Sequence, residues 1–141
     1  MVLYLDTSSL VKLYAEEAHS ANIRHIVENA EVVATSRIAY AETRAAFARK
    51  FREDGMTVKE YRNIVQDINR DWENYFIVDV SDPLVKLAGQ LAEKHALRGL
   101  DAIHLASSVV LRKQAGRPVT FSCFDDRLTL AARNEGLKVT N

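Results

Sequence analysis

Cysteine, proline, glycine and net charge are all scarce in this chain of 141 residues. The lone Cys123 cannot close an intramolecular disulfide or build a cysteine-rich zinc site, and a reducing cytoplasm is the compartment it suits. With two prolines and five glycines, no linker, internal repeat or low-complexity segment stands out, so residues 1–141 are expected to form one domain. Nineteen basic side chains balance nineteen acidic ones. That excludes a strongly basic nucleic-acid binder, and any nucleic-acid surface has to be local. Long hydrophobic runs are missing too: the N-terminal MVLYLDTSS has a short apolar stretch and no basic leader. Neither a signal peptide nor a membrane span is therefore expected. What remains, 48% hydrophobic and 27% charged residues, is the make-up of an ordinary globule able to bury a core without disulfides.

Short apolar runs alternate with helical patterns. Val2–Leu5, Val32–Ala34, Tyr75–Val80, Val119–Cys123 and Lys138–Thr140 read as strands. Between them, helices are predicted over Leu10–Ala15, His19–Asn29, Arg37–Asp54 behind an N-cap at Ser36, and from a Thr57/Glu60 capping box to Asn74. Further helices start at Ser81-Asp82-Pro83, run over Leu100–Lys113, and run from Asp125 to Asn134. Strands separated by helices imply parallel pairing through right-handed crossovers. The predicted class is α/β, a three-layer α/β/α sandwich around a central parallel sheet. Ligands of such sheets bind beyond the carboxyl ends of the strands.

Four acids stand at strand ends or on the apolar sides of helices: Asp6, Glu42, Asp101 and Asp125, with Asp126 beside the last. Each has an ordinary reading. Asp6 follows a strand and precedes a helix, where aspartate most often caps; but Thr7, Ser8 and Ser9 offer caps of their own, so Asp6 is expected to be surplus to capping. Glu42 lies at the edge of an inward stripe predicted as Ile38, Ala41, Ala45 and Ala48, or else it snorkels outward. Asp101 favours the dipole of its helix by ~0.3–1 kcal/mol, and His104 one turn on reads as a packed, hydrogen-bonded helix residue outside the site. Of the adjacent pair, Asp125 is the expected ligand and Asp126 the expected cap. Two carboxylates ~4 Å apart repel by about 4 kcal/mol at an effective dielectric of 20. If the four converge, they therefore call for a cation.

Tyr4-Leu5-Asp6-Thr7-Ser8-Ser9-Leu10-Val11-Lys12-Leu13, Ser36-Arg37-Ile38-Ala39-Tyr40-Ala41-Glu42, Leu97 through Ala106 around Asp101, and Phe124-Asp125-Asp126-Arg127-Leu128 occur in that order along the chain. Together they resemble the PIN-domain nucleases, specifically the VapC-type ribonuclease toxins of prokaryotic toxin–antitoxin pairs. The resemblance spans nearly the whole chain and rests on the ordered quartet, not on any single motif. It implies an acidic catalytic site at Asp6, Glu42, Asp101 and Asp125, assisted by a hydroxyl for which Ser8 is chosen. Cys123 departs from the family pattern, where Ser or Thr is common. The resemblance further implies an RNA substrate, a homodimer, and a small VapB-like antitoxin whose arm covers the acidic groove.

Oxygen ligands without His or Cys suit Mg²⁺ or Mn²⁺. Asp6, Asp101 and Asp125 are the expected metal contacts and Glu42 the expected water-orienting or second-metal group. Arg37, Arg44, Arg98 and Arg127 are candidates for phosphate contacts, each equally readable as a solvated surface charge. Three rival readings stand beside the toxin nuclease. One is a PIN-like module binding RNA or protein without catalysis, and another is an RNA-processing nuclease with no toxin role. The third is phosphoryl chemistry on an aspartate, as in haloacid dehalogenase-like phosphatases, which place a second Asp where this chain has Ser8.

Overall fold

Residues 1–140 are described by the computed structural model. Strand β1 (Val2–Leu5) leads into α1 (Thr7–Tyr14) and α2 (Ser20–Glu28), then β2 (Val32–Ser36), α3 (Ala39–Glu53) and α4 (Val58–Trp72). Strand β3 (Phe76–Val78), α5 (Asp82–His95), α6 (Gly99–Ala115), β4 (Val119–Ser122), α7 (Asp126–Asn134) and β5 (Lys138–Val139) follow. All strand pairs are parallel, in the order β3-β2-β1-β4-β5, so the parallel α/β sandwich expected from the sequence is what the chain builds.

Central β1 is buried on both faces, and its alternation divides the core. Val2 and Tyr4 join Phe121 and the inward sides of α5, α6 and α7 in one cluster. Leu3 and Leu5 join Leu10 and Ala39, flanked by Tyr14, Val27 and Trp72, in the other. The α3–α4 hairpin turns at Gly55, whose φ of 72° suits glycine. Beyond it the Thr57/Glu60 capping box is complete in both directions, as the sequence suggests.

Several boundaries differ from the prediction. Helix α1 begins at Thr7, not Leu10, because Asp6 caps it. Strand β2 runs through Ser36, and α3 starts only at Ala39 with no side-chain cap; the Ser36 hydroxyl instead accepts from the Ile38 amide at 3.3 Å. The inward stripe of α3 is Ala39, Thr43 and Phe47, while Ala41 and Ala45 face solvent. Phe47 decides this: of the two phenylalanines of α3 it is the fully buried one. Among the described residues, no helix is long and apolar enough to cross a membrane.

Candidate active site

Parallel strands deliver the residues that follow them to one edge, and Asp6 and Asp125 follow β1 and β4. The Asp6 amide donates to the Ser122 carbonyl at 3.1 Å, which fixes the two strand ends side by side. Asp6 is nearly buried. Its Oδ1 accepts from the Ser8 hydroxyl at 2.7 Å and from the Ser9 amide at 3.0 Å. The aspartate is thus the N-cap of α1 after all, and not surplus to capping. Both bonds fall on Oδ1, so Oδ2 remains available for a second task. Burial pushes the Asp6 carboxyl up; His104, Ser8 and Ser9 pull it down, Asp101 pushes it up further, and the balance lies above the usual carboxylate range.

Asp101 occupies the first turn of α6, whose N-cap, Arg98, folds its guanidinium back onto the acid. Arg98 Nη2 and Nε both reach Asp101 Oδ2, at 3.0 and 3.1 Å. The same Nη2 stands 3.9 Å from Asp125 Oδ2, so one arginine lies between two of the four acids. Asp125 Oδ1 accepts from the Leu128 amide at 2.8 Å and caps α7. This reverses the expected division of labour: Asp125 caps, and Asp126 is the first residue of the helix. Capping again leaves one oxygen of Asp125 over, because a cap uses only one carboxylate oxygen.

Glu42 enters from α3 and is held by a clamp the sequence reading missed. Its Oε1 accepts from the Thr7 hydroxyl at 2.6 Å and meets His104 Nε2 at 2.9 Å. With the Thr7 proton committed to Glu42, Nε2 is the donor. Nδ1 then accepts from the buried Tyr4 hydroxyl at 2.8 Å. Burial pushes the Glu42 carboxyl up, but the His104 and Thr7 bonds outweigh it and keep the group below its ordinary value. His104 is packed and hydrogen-bonded, as read from sequence, yet it also positions a site acid. The available signal was its place three residues after Asp101, on the same face of α6.

Two cavities meet at Arg98 and Asp101. A groove of about 700 Å³ between α5 and α6 is lined by Glu42, Arg98 and Asp101, with apolar walls from Val85, Ala88 and Ile103. A smaller one of about 240 Å³ holds Arg98, Asp101, Asp125 and Arg127. Arg127 donates to the Ala96 carbonyl at 3.0 Å. The other two predicted cations have partners elsewhere: Arg37 pairs with Asp79 at 2.7 Å, and Arg44 donates to the Tyr40 hydroxyl at 2.8 Å. Ser8 bridges the site, since its hydroxyl also accepts from the Phe124 amide at 3.2 Å. At the departure from the family pattern, Cys123 Sγ stands 3.1 Å from Thr129 Oγ1, and burial pushes the thiol up to about 11, an unreactive state.

The donors facing these cavities are carboxylate oxygens, and the one nearby imidazole is occupied on both nitrogens. That chemistry fits a hard divalent cation and not zinc. As placed, with Arg98 on Asp101, no three His, Cys, Asp or Glu among the described residues are gathered tightly enough to enclose an ion.

Comparison with known proteins bears on the same residues. A family model described as PIN domain matches residues 3–133. Ribonuclease VapC49 of Mycobacterium tuberculosis is 34% identical over 143 residues, covering 98% of this chain and 94% of the relative. Among solved structures, Mycobacterium tuberculosis VapC20, titled a sarcin-ricin loop cleaving toxin, superposes with a TM-score of 0.68 at 18% identity, covering 92% of this chain and 94% of that one. VapBC2 from Rickettsia felis, bound to a promoter DNA fragment, gives 0.67 at 15% identity, with 100% and 98% covered. At those identities the two structures establish the fold, while the sequence matches establish kinship. The chain belongs to the PIN-domain family, among the relatives of the VapC ribonucleases.

Proposed function

We propose that this protein is a magnesium- or manganese-dependent endoribonuclease, the toxin of a VapBC-type pair. The observation that carries the reading is that Glu42, Asp101 and Asp125 line two adjoining cavities at the sheet edge where Asp6 follows β1, in a chain akin to VapC ribonucleases over nearly its full length. Asp6, Asp101 and Asp125 would hold the ion, which when bound polarises a phosphoryl oxygen and lowers the pKa of water. Glu42, kept ionised by Thr7 and His104, accepts the proton of the attacking water at the oxygen its clamp does not use. The water oxygen bonds to phosphorus as one P–O ester bond breaks, and solvent protonates the leaving oxygen. Arg98 moves from Asp101 to the scissile phosphate, where a planar guanidinium binds two oxygens at once. The apolar-walled groove beside Glu42 receives flanking RNA, and a small antitoxin of the VapB kind, acting on a homodimer, keeps it closed.

The test is cleavage of labelled RNA by the purified chain with Mg²⁺ or with a chelator. Cleavage is expected only with the metal and is expected to vanish in Asp6→Asn. Undiminished cleavage by Asp6→Asn, or by the wild type in chelator, contradicts the assignment.

A further inference from the structure

A third cavity, of about 260 Å³, adjoins the acidic edge and is not used by the chemistry above. It lies between the start of α2, the β4–α7 connection and the residue after β5, lined by His19, Asn22, Ile23, His25, Ile26, Phe124 and Thr140. Phe124 immediately precedes Asp125, and its amide donates to Ser8, which donates to Asp6. The Phe124 backbone is therefore two hydrogen bonds from the most buried site carboxylate. The face of the Phe124 ring is used: the His19 imidazole stacks on it at 5.3 Å with an interplanar angle of 28°, and Lys12 Nζ lies 4.8 Å from the ring centroid.

His19 is held there by its backbone. It has a φ of 72°, the left-handed region that costs a non-glycine residue roughly 1–2 kcal/mol relative to the right-handed one. The turn around it is tied by the Ser20 hydroxyl, which donates to the Ala15 carbonyl at 2.7 Å and accepts from the Glu17 amide at 3.1 Å. The imidazole itself is exposed, as are Asn22 and His25. Ile23 and Ile26 supply an apolar floor, and Asn22 offers one acceptor and two donors at the rim. The exposed His19 imidazole, backed by the Phe124 ring, is the aromatic platform; with the apolar floor and the amide at the edge it offers what a nucleobase needs, stacking on its face and hydrogen bonds to its edge. At about 260 Å³ the cavity is smaller than the roughly 300–1,000 Å³ of drug-sized sites and suits one ring system. There is also a reason for such a pocket here. Four carboxylates repel the phosphates of an approaching strand, so grip on an uncharged base beside the cut adds affinity where backbone contacts are opposed.

We propose that His19, Phe124 and Asn22 form a nucleobase subsite that holds a base of the RNA next to the scissile phosphate, an inference that rests on the ribonuclease reading. Binding is measured in chelator, where no cleavage competes, with a short single-stranded RNA carrying 2-aminopurine. Binding to the wild type quenches the fluorescence, and His19→Ala and Phe124→Leu each weaken the affinity about tenfold. Asn22→Ala weakens it less, and Arg49→Ala, on the far end of α3, does not change it. His19→Ala alters an exposed side chain, so its result stands even if Phe124→Leu disturbs the fold. In a parallel NMR titration, adenosine monophosphate shifts the His19 ring protons and ribose 5-phosphate does not, which separates base from phosphate binding. Equal affinity in all variants, absence of quenching, or equal shifts with both small ligands overturns the subsite. RNA that binds as predicted but is never cut by the wild type with Mg²⁺ contradicts the ribonuclease reading alone.

Discussion

The two edges of the sheet handle acidic side chains in opposite ways. At the amino edge Glu31 sits between the Met1 ammonium, 2.9 Å away, and the Arg117 guanidinium at 3.1 Å; those cations hold its carboxyl at about 2. The acid there is exposed and outnumbered by partners. At the carboxyl edge four acids share one arginine and one imidazole, and the most buried of them, Asp6, titrates above its ordinary range. An acid at the amino edge needs no further explanation. At the carboxyl edge negative charge is left over, and leftover buried charge is costly unless something arrives to neutralise it.

The sharpest way to break this contrast is to neutralise one acid at each edge. Asp6→Asn or Asp101→Asn should reduce RNA cleavage by at least about 100-fold, whereas Glu31→Gln should leave it unchanged in the same gel assay. Loosening the Glu42 clamp comes next. Thr7→Val or His104→Gln should lower kcat by about 10- to 100-fold, the usual range for groups that orient a metal-site residue. Tyr4→Phe leaves buried His104 Nδ1 without its donor and should cost ~1–3 kcal/mol of stability in denaturant titrations. Arg98→Ala should act in two directions: Mn²⁺ binds about threefold more tightly, because Asp101 and Asp125 lose their guanidinium, while KM for RNA rises.

The smallest effects are in melting temperature, and their signs differ between the edges. The raised Asp6 carboxyl contributes stability that is full below the ordinary value of about 3.9 and is lost as pH climbs through the raised one. In chelator, Asp6→Asn should therefore melt above the wild type at pH 7, with the gain closing near pH 3. Asparagine keeps the capping oxygen, so α1 is not weakened. The lowered Glu31 carboxyl contributes stability above its ordinary range and loses it as pH falls toward about 2. Glu31→Gln should melt slightly lower at pH 7, and the difference should vanish in strong acid.

What the sequence disclosed was local. Val2–Leu5 running into Asp6, the Thr57/Glu60 box, Pro83 in a first turn and Gly116 after α6 each carry their signal within a few residues, and the parallel sandwich followed from their order. Each of the four acids has an ordinary local reading, and it is their order along the chain and their places at strand ends and helix edges that mark them as candidates. The Glu42 clamp was not legible, because Thr7 and His104 reach Glu42 across 35 and 62 residues of chain and Tyr4 reaches His104 across 100, and no spacing rule reaches that far. Capping misled in both directions. Cap and ligand are not exclusive roles for Asp6 and Asp125, because a carboxylate has two oxygens and in each case the cap occupies only Oδ1. In α3 the stripe of small alanines was outweighed by Phe47, whose burial rotates the helix and brings Glu42 against His104.

Metal-dependent cleavage requires the excess charge at the carboxyl edge to act as one cation-holding centre. Calorimetric titration of the wild type, Asp6→Asn, Asp101→Asn and Glu31→Gln with Mn²⁺ at pH 7 tests that directly. Saturable binding is predicted for the wild type and Glu31→Gln, weakened at least about tenfold in the two site variants. Indistinguishable isotherms for all four proteins would contradict it.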